Sequence, residues 1–496
     1  MDLNRKKPTF AAVFLFAAAV AAVMLGICSR SSPFHPFNNW ADVNCFFTVG
    51  KAICSGKVVY RDIYEQKGIL LYFLYALAYL ISNRDLFGGY ILEVLSMTIF
   101  LLMVYGTFRS FSIERRFFLV APVLCAVLCS TRSFYPGGGV EELMLPALYL
   151  PIYVILKDWR TGKDCIPGRR DMFLLGVGAA CLLWSKFILV GSYFGYVLFG
   201  TVVLIRRRDW SQLGSCALFF ALGALAASAP WLLYFVVNHA MKDMFEVYFY
   251  NNIFVYPVKR TLHNYLAVLV MAFLKNIFMM AFIFLGVFAV LRSDRGREWK
   301  AGMFCLFFFN VLFIYAGGVS FEYYAFGMAA LSVPGAVYAG LLLDSRLRGK
   351  NEGRGTGKVR VAAVVCVLLL SVGFAYLRSD NSFLLRSNRE DMWYYKFANE
   401  ILASDDHSLL NYDTLDLGIY TLTGYVPQGR FFCKLNLTLD EMQEELDASI
   451  REQKTEWVVL TKDPASVAPY YDIVMKEDYF FTFPSEPCTF YLARRK

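Results

Sequence analysis

Charge is scarce in this chain, and unevenly so. Asp, Glu, Lys and Arg make up 18% of 496 residues, against about 25% in an ordinary soluble domain. The deficit falls before residue 377, where long stretches carry no charge, whereas 378–496 has the composition of a soluble chain. Zinc-type ligand pairs are missing: none of the twelve cysteines sits in a C-x-x-C pair or a Cys/His cluster, which excludes a zinc-finger module. No internal repeat is visible, which argues against a solenoid or a transporter assembled from repeats. The segment 378–496 lacks a nucleophile motif, a phosphate loop and a metal cluster.

What the chain has in abundance is apolar sequence, 57% of residues with 17% aromatic. A membrane span needs roughly 20 apolar residues. Eleven runs fit, near 9–28, 87–108, 117–131, 142–156, 171–186, 187–205, 213–237, 266–291, 301–317, 325–343 and 359–377. Cys125, Cys129, Cys181, Cys216, Cys305 and Cys366 lie inside such runs and read as packing residues. Cys433 and Cys488 share the C-terminal segment and are a candidate disulfide pair if the fold brings them together.

The net charge of +9 does not mark a nucleic-acid groove, because the basic residues sit in short segments between apolar runs. Arg5, Lys6 and Lys7 precede the first run. Arg109, Arg115 and Arg116 form one basic loop; Lys157, Arg160, Lys163, Arg169 and Arg170 the next; then Arg206, Arg207 and Arg208; then Arg292, Arg295, Arg297 and Lys300; and last Arg346, Arg348, Lys350, Arg354, Lys358 and Arg360. Every second loop is basic, which places these loops in the cytoplasm. The run Ile69–Ile81 has only thirteen residues, a length typical of interfacial or re-entrant helices. Counting it as a span would invert every later loop. The expected architecture is therefore an all-α polytopic membrane domain over 1–377, with an external loop at 29–86, followed by an external α/β domain over 378–496. In that domain Met392–Leu402 reads as a helix and Thr438–Gln453 as a helix opened by a capping box, Thr438 with Glu441. Trp457–Leu460 and Thr489–Leu492 read as strands.

Chemistry-bearing residues concentrate in the external loops. The first holds Trp40, Asp42 and Asn44, then Tyr60, Arg61, Asp62 and Lys67. Lys51 and Lys57 read as charges kept for solubility. Asp42 lies between Trp40 and Phe46–Phe47, an apolar setting that raises a carboxyl pKa and suits a general base. Further on come Tyr135-Pro-Gly-Gly-Gly-Val-Glu141-Glu142, Lys186 between two apolar runs, and Gly317-Gly-Val-Ser-Phe-Glu322-Tyr323-Tyr324. Glu93 and Lys275, inside apolar runs, read as a structural pair.

These motifs, in this order, resemble the GT-C superfamily of membrane glycosyltransferases, in particular the protein O-mannosyltransferases and lipid A aminoarabinose transferases. In that group an acid follows the first span, and a stretch of the type G-x-x-x-Y-x-D-x-x-x-x-K, here Gly56, Tyr60, Asp62 and Lys67, leads into a juxtamembrane helix. The likeness covers about 9–345. It differs in carrying Asp42-Val-Asn44 where the family has an Asp-Glu pair, and Glu141-Glu142 where it has Asp.

The resemblance implies transfer of a sugar from a polyprenyl-phosphate carrier to a lipid, glycan or protein acceptor on the external face, with inversion. It implies catalytic carboxylates at Asp42, Glu141 and Glu142, and cations for the phosphate at Lys67, Lys186 and Arg61. Substrate contacts would come from Asn44, Tyr60, Asp62, Glu322, Tyr323 and Tyr324. It leaves a divalent metal open as cofactor. Two other classes stay open: a transporter or flippase for lipid-linked glycans, and a non-catalytic assembly protein of the same fold.

Overall fold

A computed structural model describes residues 8–157, 166–256, 261–318, 321–348, 357–482 and 485–496. Arg5, Lys6, Lys7, Arg160, Lys163, Lys350 and Arg354, on which part of the charge alternation rests, lie outside the described residues, as do Val319 and Ser320. The chain divides into two compact units. The first comprises 1–29, 92–230 and 258–382, and the second 30–91, 231–257 and 383–496.

The first unit is helical. Among the described residues of the chain, seven helices are long and apolar enough to cross a membrane, or eight if one bent pair counts as a single span. Each expected span falls on helix, but three of those helices are short. Phe117–Cys129 and Leu145–Lys157 have 13 residues and Arg169–Leu183 has 15. At about 1.5 Å per residue they reach roughly 20 Å, against about 30 Å of hydrocarbon.

The expected continuous span 266–291 is instead broken. Leu262–Lys275 and Ile277–Arg292 meet at Asn276, and the pair bends by 100°. Asn276 supports the break with its side chain. Its Oδ1 accepts from Thr131 Oγ1 and the Ser133 amide, each at 2.9 Å, and its Nδ2 donates to the Ala272 carbonyl at 2.7 Å. Backbone groups freed from a helix away from water need such partners.

The second unit joins most of the first inter-helix loop, 30–91, to the C-terminal segment. Its sheet has strands β1 (Leu409–Asn411), β2 (Trp457–Leu460), β3 (Tyr471–Thr482) and β4 (Ser485–Arg495), in the order β1-β2-β4-β3. β1 and β2 are parallel, and the other pairs are antiparallel. Helix Trp393–Leu402 buries Trp393, Phe397 and Ile401, one stripe at helical spacing, and Trp393 stacks on Phe490 of β4 at 3.9 Å. The second helix starts at Asp440, not Thr438, and no side chain caps it. The expected capping box does not form; Met442, Leu446 and Ile450 hold the helix by burial.

In the same unit, helices Ala41–Cys54 and Ile69–Ile81 touch so closely that a Cβ at Gly50 would meet the Ala76 backbone nitrogen at 2.5 Å. Ile69, Tyr72 and Ala76 face inward, whereas Leu77, Leu80 and Ile81 are more than half exposed. An outward apolar face on a helix of this length is what an interfacial segment needs.

Candidate active site

In the first unit, Tyr135–Gly139 runs into the short helix Val140–Leu143. Gly137 and Gly138 adopt φ of +96° and +87°, and a Cβ at Gly137 would also strike Ser29 Oγ at 2.5 Å. Only glycine suits that turn. It delivers two acids. Glu142 folds back, and its Oε2 accepts from the Gly138 amide at 2.8 Å. Glu141 Oε1 accepts from Lys186 Nζ at 2.6 Å, both side chains being buried. Lys186 comes from the junction of helices Arg169–Leu183 and Gly191–Arg207, where it precedes a turn of 3-10 helix. Its ammonium lies 3.8 Å from the Tyr324 ring centroid and 4.9 Å from that of Tyr323. Four residues singled out in three separate stretches of sequence thus form one cluster: a lysine, its carboxylate and two rings whose faces attract the cation.

Glu322 opens the 3-10 helix Glu322–Ser332 and anchors a neighbouring ionic group. Its Oε2 accepts from Arg132 Nε at 2.8 Å, and its Oε1 accepts from Lys275 Nζ. Arg132 Nη1 also donates to Asp380 Oδ2 at 2.8 Å. A cavity of about 380 Å³ is lined by Arg132, Lys275, Asn276, Arg378 and Asp380. Arg132 and Asp380 were not singled out in the sequence. Arg132 carried a signal, being a cation in a loop that charge alternation places outside. Lys275 does pair structurally, but with Glu322.

In the second unit, Asp42 occupies the first turn of helix Ala41–Cys54 and is half-buried. Asn44 is fully buried. Its Nδ2 donates to the carbonyls of Asn38 and Trp40 at 2.9 and 2.8 Å, and its Oδ1 accepts from Thr421 Oγ1 at 2.8 Å. One and two turns further along, Thr48 donates to Asp416 Oδ2 at 2.8 Å and Lys51 Nζ donates to the Tyr420 carbonyl. The polar face of this helix therefore docks on the C-terminal segment. Lys51 is not a surface charge, since burial lowers its pKa to about 7 against a partly compensating attraction to Asp416. Burial likewise raises the Asp416 carboxyl.

The loop after this helix turns at Gly56 and Tyr60, with φ of +87° and +71°. Tyr60 is fully buried, stacked on Phe235, and donates to the Lys67 carbonyl at 2.6 Å. Arg61 grips Asp62 through Nε and Nη2 at 2.8 and 2.9 Å, and that pairing holds the Asp62 carboxyl below its usual range. Lys67 Nζ lies 3.8 Å from Glu65 Oε1. Among the described residues no three His, Cys, Asp or Glu side chains converge as metal ligands. A cavity of about 470 Å³ beside Leu409, Tyr420, Phe431 and Glu445 includes none of the residues singled out in the sequence.

No protein-family model matches the chain, and no curated protein matches it in sequence. Two solved structures of ArnT from Cupriavidus metallidurans do match. The one bound to undecaprenyl phosphate aligns with a TM-score of 0.63 and 13% identity, over 98% of this chain and 98% of that one. The chain has the fold of ArnT. The apo structure gives a TM-score of 0.64 and 12% identity over 97% and 98% of the two chains. ArnT is a lipid A aminoarabinose transferase of the GT-C family, the group the motifs resembled. The alignment extends that likeness from 9–345 to nearly the whole chain, the C-terminal sheet included. The fold and the long apolar helices make this a multi-pass membrane protein.

Proposed function

We propose that this chain is a membrane glycosyltransferase that moves a sugar from a polyprenyl-phosphate carrier to an acceptor on the external face. The observation that carries the reading is the Lys186–Glu141–Tyr323–Tyr324 cluster in a fold shared end to end with ArnT, a protein solved with undecaprenyl phosphate. A leaving phosphate needs a cation, and charge-assisted bonds to phosphate are the strong ones. Lys186 supplies such a charge, held in place by Glu141 and ready to be shared with an incoming anion. Lys67, half-buried beside Glu65, is the second candidate cation, and Arg61 the third. The acceptor hydroxyl must lose its proton as the new bond to the anomeric carbon forms, and Asp42 is the proposed base. Direct displacement inverts the anomeric centre. Tyr323 and Tyr324 offer ring faces for a sugar. Asn44, Tyr60 and Asp62 act from behind in this reading, since their polar groups are engaged within the protein.

A second reading has one observation in its favour. Lys186 is neutralised by Glu141, and Glu322 is matched by Arg132 and Lys275, as in an assembly protein that keeps the fold without catalysis. Two measurements separate them. Mass spectrometry of the purified protein should find co-purifying polyprenyl phosphate, and saccharide analysis of cells with and without the gene should differ by one sugar. Lipid bound but saccharides unchanged would favour the assembly protein; neither result would remove both readings.

A further inference from the structure

We infer that Cys45 and Cys433 form a disulfide that fastens the first external helix to the C-terminal segment. The inference rests on the expected topology and is independent of glycosyl transfer. Cys45 lies on helix Ala41–Cys54, and Cys433 sits in a bridge with Asn411 of β1. They are 388 residues apart in sequence, yet their sulfurs are 3.9 Å apart and both side chains are buried. Bond formation requires the sulfurs to close from 3.9 Å to about 2.0 Å.

Distance alone would not decide the matter. Cys125 and Cys129 are also 3.9 Å apart, but they are one turn apart on a single apolar helix, in a setting no oxidant reaches. Compartment and partner make the difference. Of the eleven described cysteines, seven lie on apolar helices of the first unit, and only Cys45, Cys54, Cys433 and Cys488 belong to the second unit. Charge alternation places that unit on the non-cytoplasmic side, where disulfides form and persist. Cys54 contacts the Ala76 carbonyl and Cys488 that of Thr489, so the expected partner of Cys433, Cys488, gives way to Cys45.

The oxidant is the disulfide of a thiol–disulfide carrier. While the chain is still folding, one cysteine thiolate attacks a carrier sulfur and expels the other as thiolate. The second cysteine then displaces the remaining carrier sulfur. The two cysteines lose two protons and two electrons, and the carrier leaves as a dithiol. Burial afterwards shields the bond from reductants.

The test uses the full chain in its own membrane. Cells are quenched in acid, alkylated with N-ethylmaleimide and digested without reductant. The expected product is one cross-linked mass holding the Cys45 and Cys433 peptides, split by reduction and absent from Cys45→Ser. In detergent, reduction after partial unfolding should lower the thermal midpoint of the wild type and leave that of a Cys45→Ala/Cys433→Ala variant unchanged. Exposed Cys54 reports the compartment through a membrane-impermeant maleimide. If Cys54 is labelled from outside while Cys45 and Cys433 are both recovered as alkylated thiols, the topology stands and the disulfide is refuted. If Cys54 reacts only after permeabilisation, the topology fails and takes the inference with it.

Discussion

Lys186 and Glu141 are joined by a 2.6 Å ion pair in which neither side chain is more than 7% exposed. Removing one partner of such a pair strands a buried charge, at a cost of about 3–5 kcal/mol. Lys186→Ala should therefore lower the thermal midpoint in detergent, and Lys186→Met with Glu141→Gln should recover most of the loss. The same lysine should matter to the donor. A charged hydrogen bond is worth about 1.5–3 kcal/mol, so Lys186→Met/Glu141→Gln should bind undecaprenyl phosphate about tenfold or more weakly in a titration. Unchanged affinity in the stable double variant removes Lys186 from the phosphate site.

Lys51 gives the fold a pH dependence. Its pKa falls from 10.5 to about 7 on folding because burial disfavours its charge. Between those values the unfolded chain holds more protons than the folded one, so stability rises with pH across that window and is flat in this term below it. Asp416, the carboxylate that attracts the Lys51 charge, has a raised pKa. Its opposing slope begins at the acid end, above the ordinary 3.8. The wild type should therefore gain stability relative to Lys51→Met as the pH rises from 7 to 10, the difference amounting to a few kcal/mol on the order of one per pKa unit, whatever the cysteines and tyrosines common to both proteins contribute. Equal slopes in the two proteins would show that Lys51 keeps its proton.

The topology is open to a labelling experiment. Leu460 is buried in β2, whereas Lys462 and Asp294 are exposed. An impermeant maleimide should modify Lys462→Cys on intact cells and Asp294→Cys only after permeabilisation, in line with the basic loop around Arg292–Lys300 lying inside. Modification of both from one side overturns the charge argument.

The legible part of this protein was what apolar runs and local periods encode. The long apolar helices, the helix at Ile69–Ile81 and the strand at Trp457–Leu460 follow from local composition. The illegible part depends on partners far away in sequence. Lys51 looks like any surface lysine until Tyr420 and Asp416 close over it. The break at Asn276 hides in an apolar run because average hydropathy does not register one amide that Thr131 and Ser133 engage. Cys433 could be offered only its near neighbour Cys488. At the site, sequence supplied Glu141, Lys186, Tyr323 and Tyr324 one at a time, and the fold made them a group. It missed Arg132, although a cation in a loop that charge alternation would place outside runs against that very alternation.

Asp42 is the residue on which the catalytic proposal turns. A neutral hydroxyl attacks an anomeric carbon slowly unless its proton is removed as the bond forms, and a positioned base contributes about 10²- to 10⁴-fold. Besides Asp42, three carboxylates compete for the role: Asp62, Glu141 and Glu142, the last of which folds back so that its Oε2 accepts from the Gly138 amide. Asp62 is held by two bonds from Arg61 and a third from the Val58 amide, so its pKa is low and its lone pairs are engaged. Glu141 is committed to Lys186. Asp42 lies half-buried in the first turn of a helix whose polar side is pinned by Asn44, Thr48 and Lys51, a rigid mounting for a group that must hold its angle to a substrate. Asp42→Asn keeps the shape and removes the basic oxygen. Turnover should fall at least about a hundredfold, with donor affinity and thermal midpoint near the wild type, the pattern of an interaction made only in the transition state. If Asp42→Asn transfers sugar normally while Glu141→Gln or Asp62→Asn does not, the base is one of those two, and the pinned helix serves the fold alone.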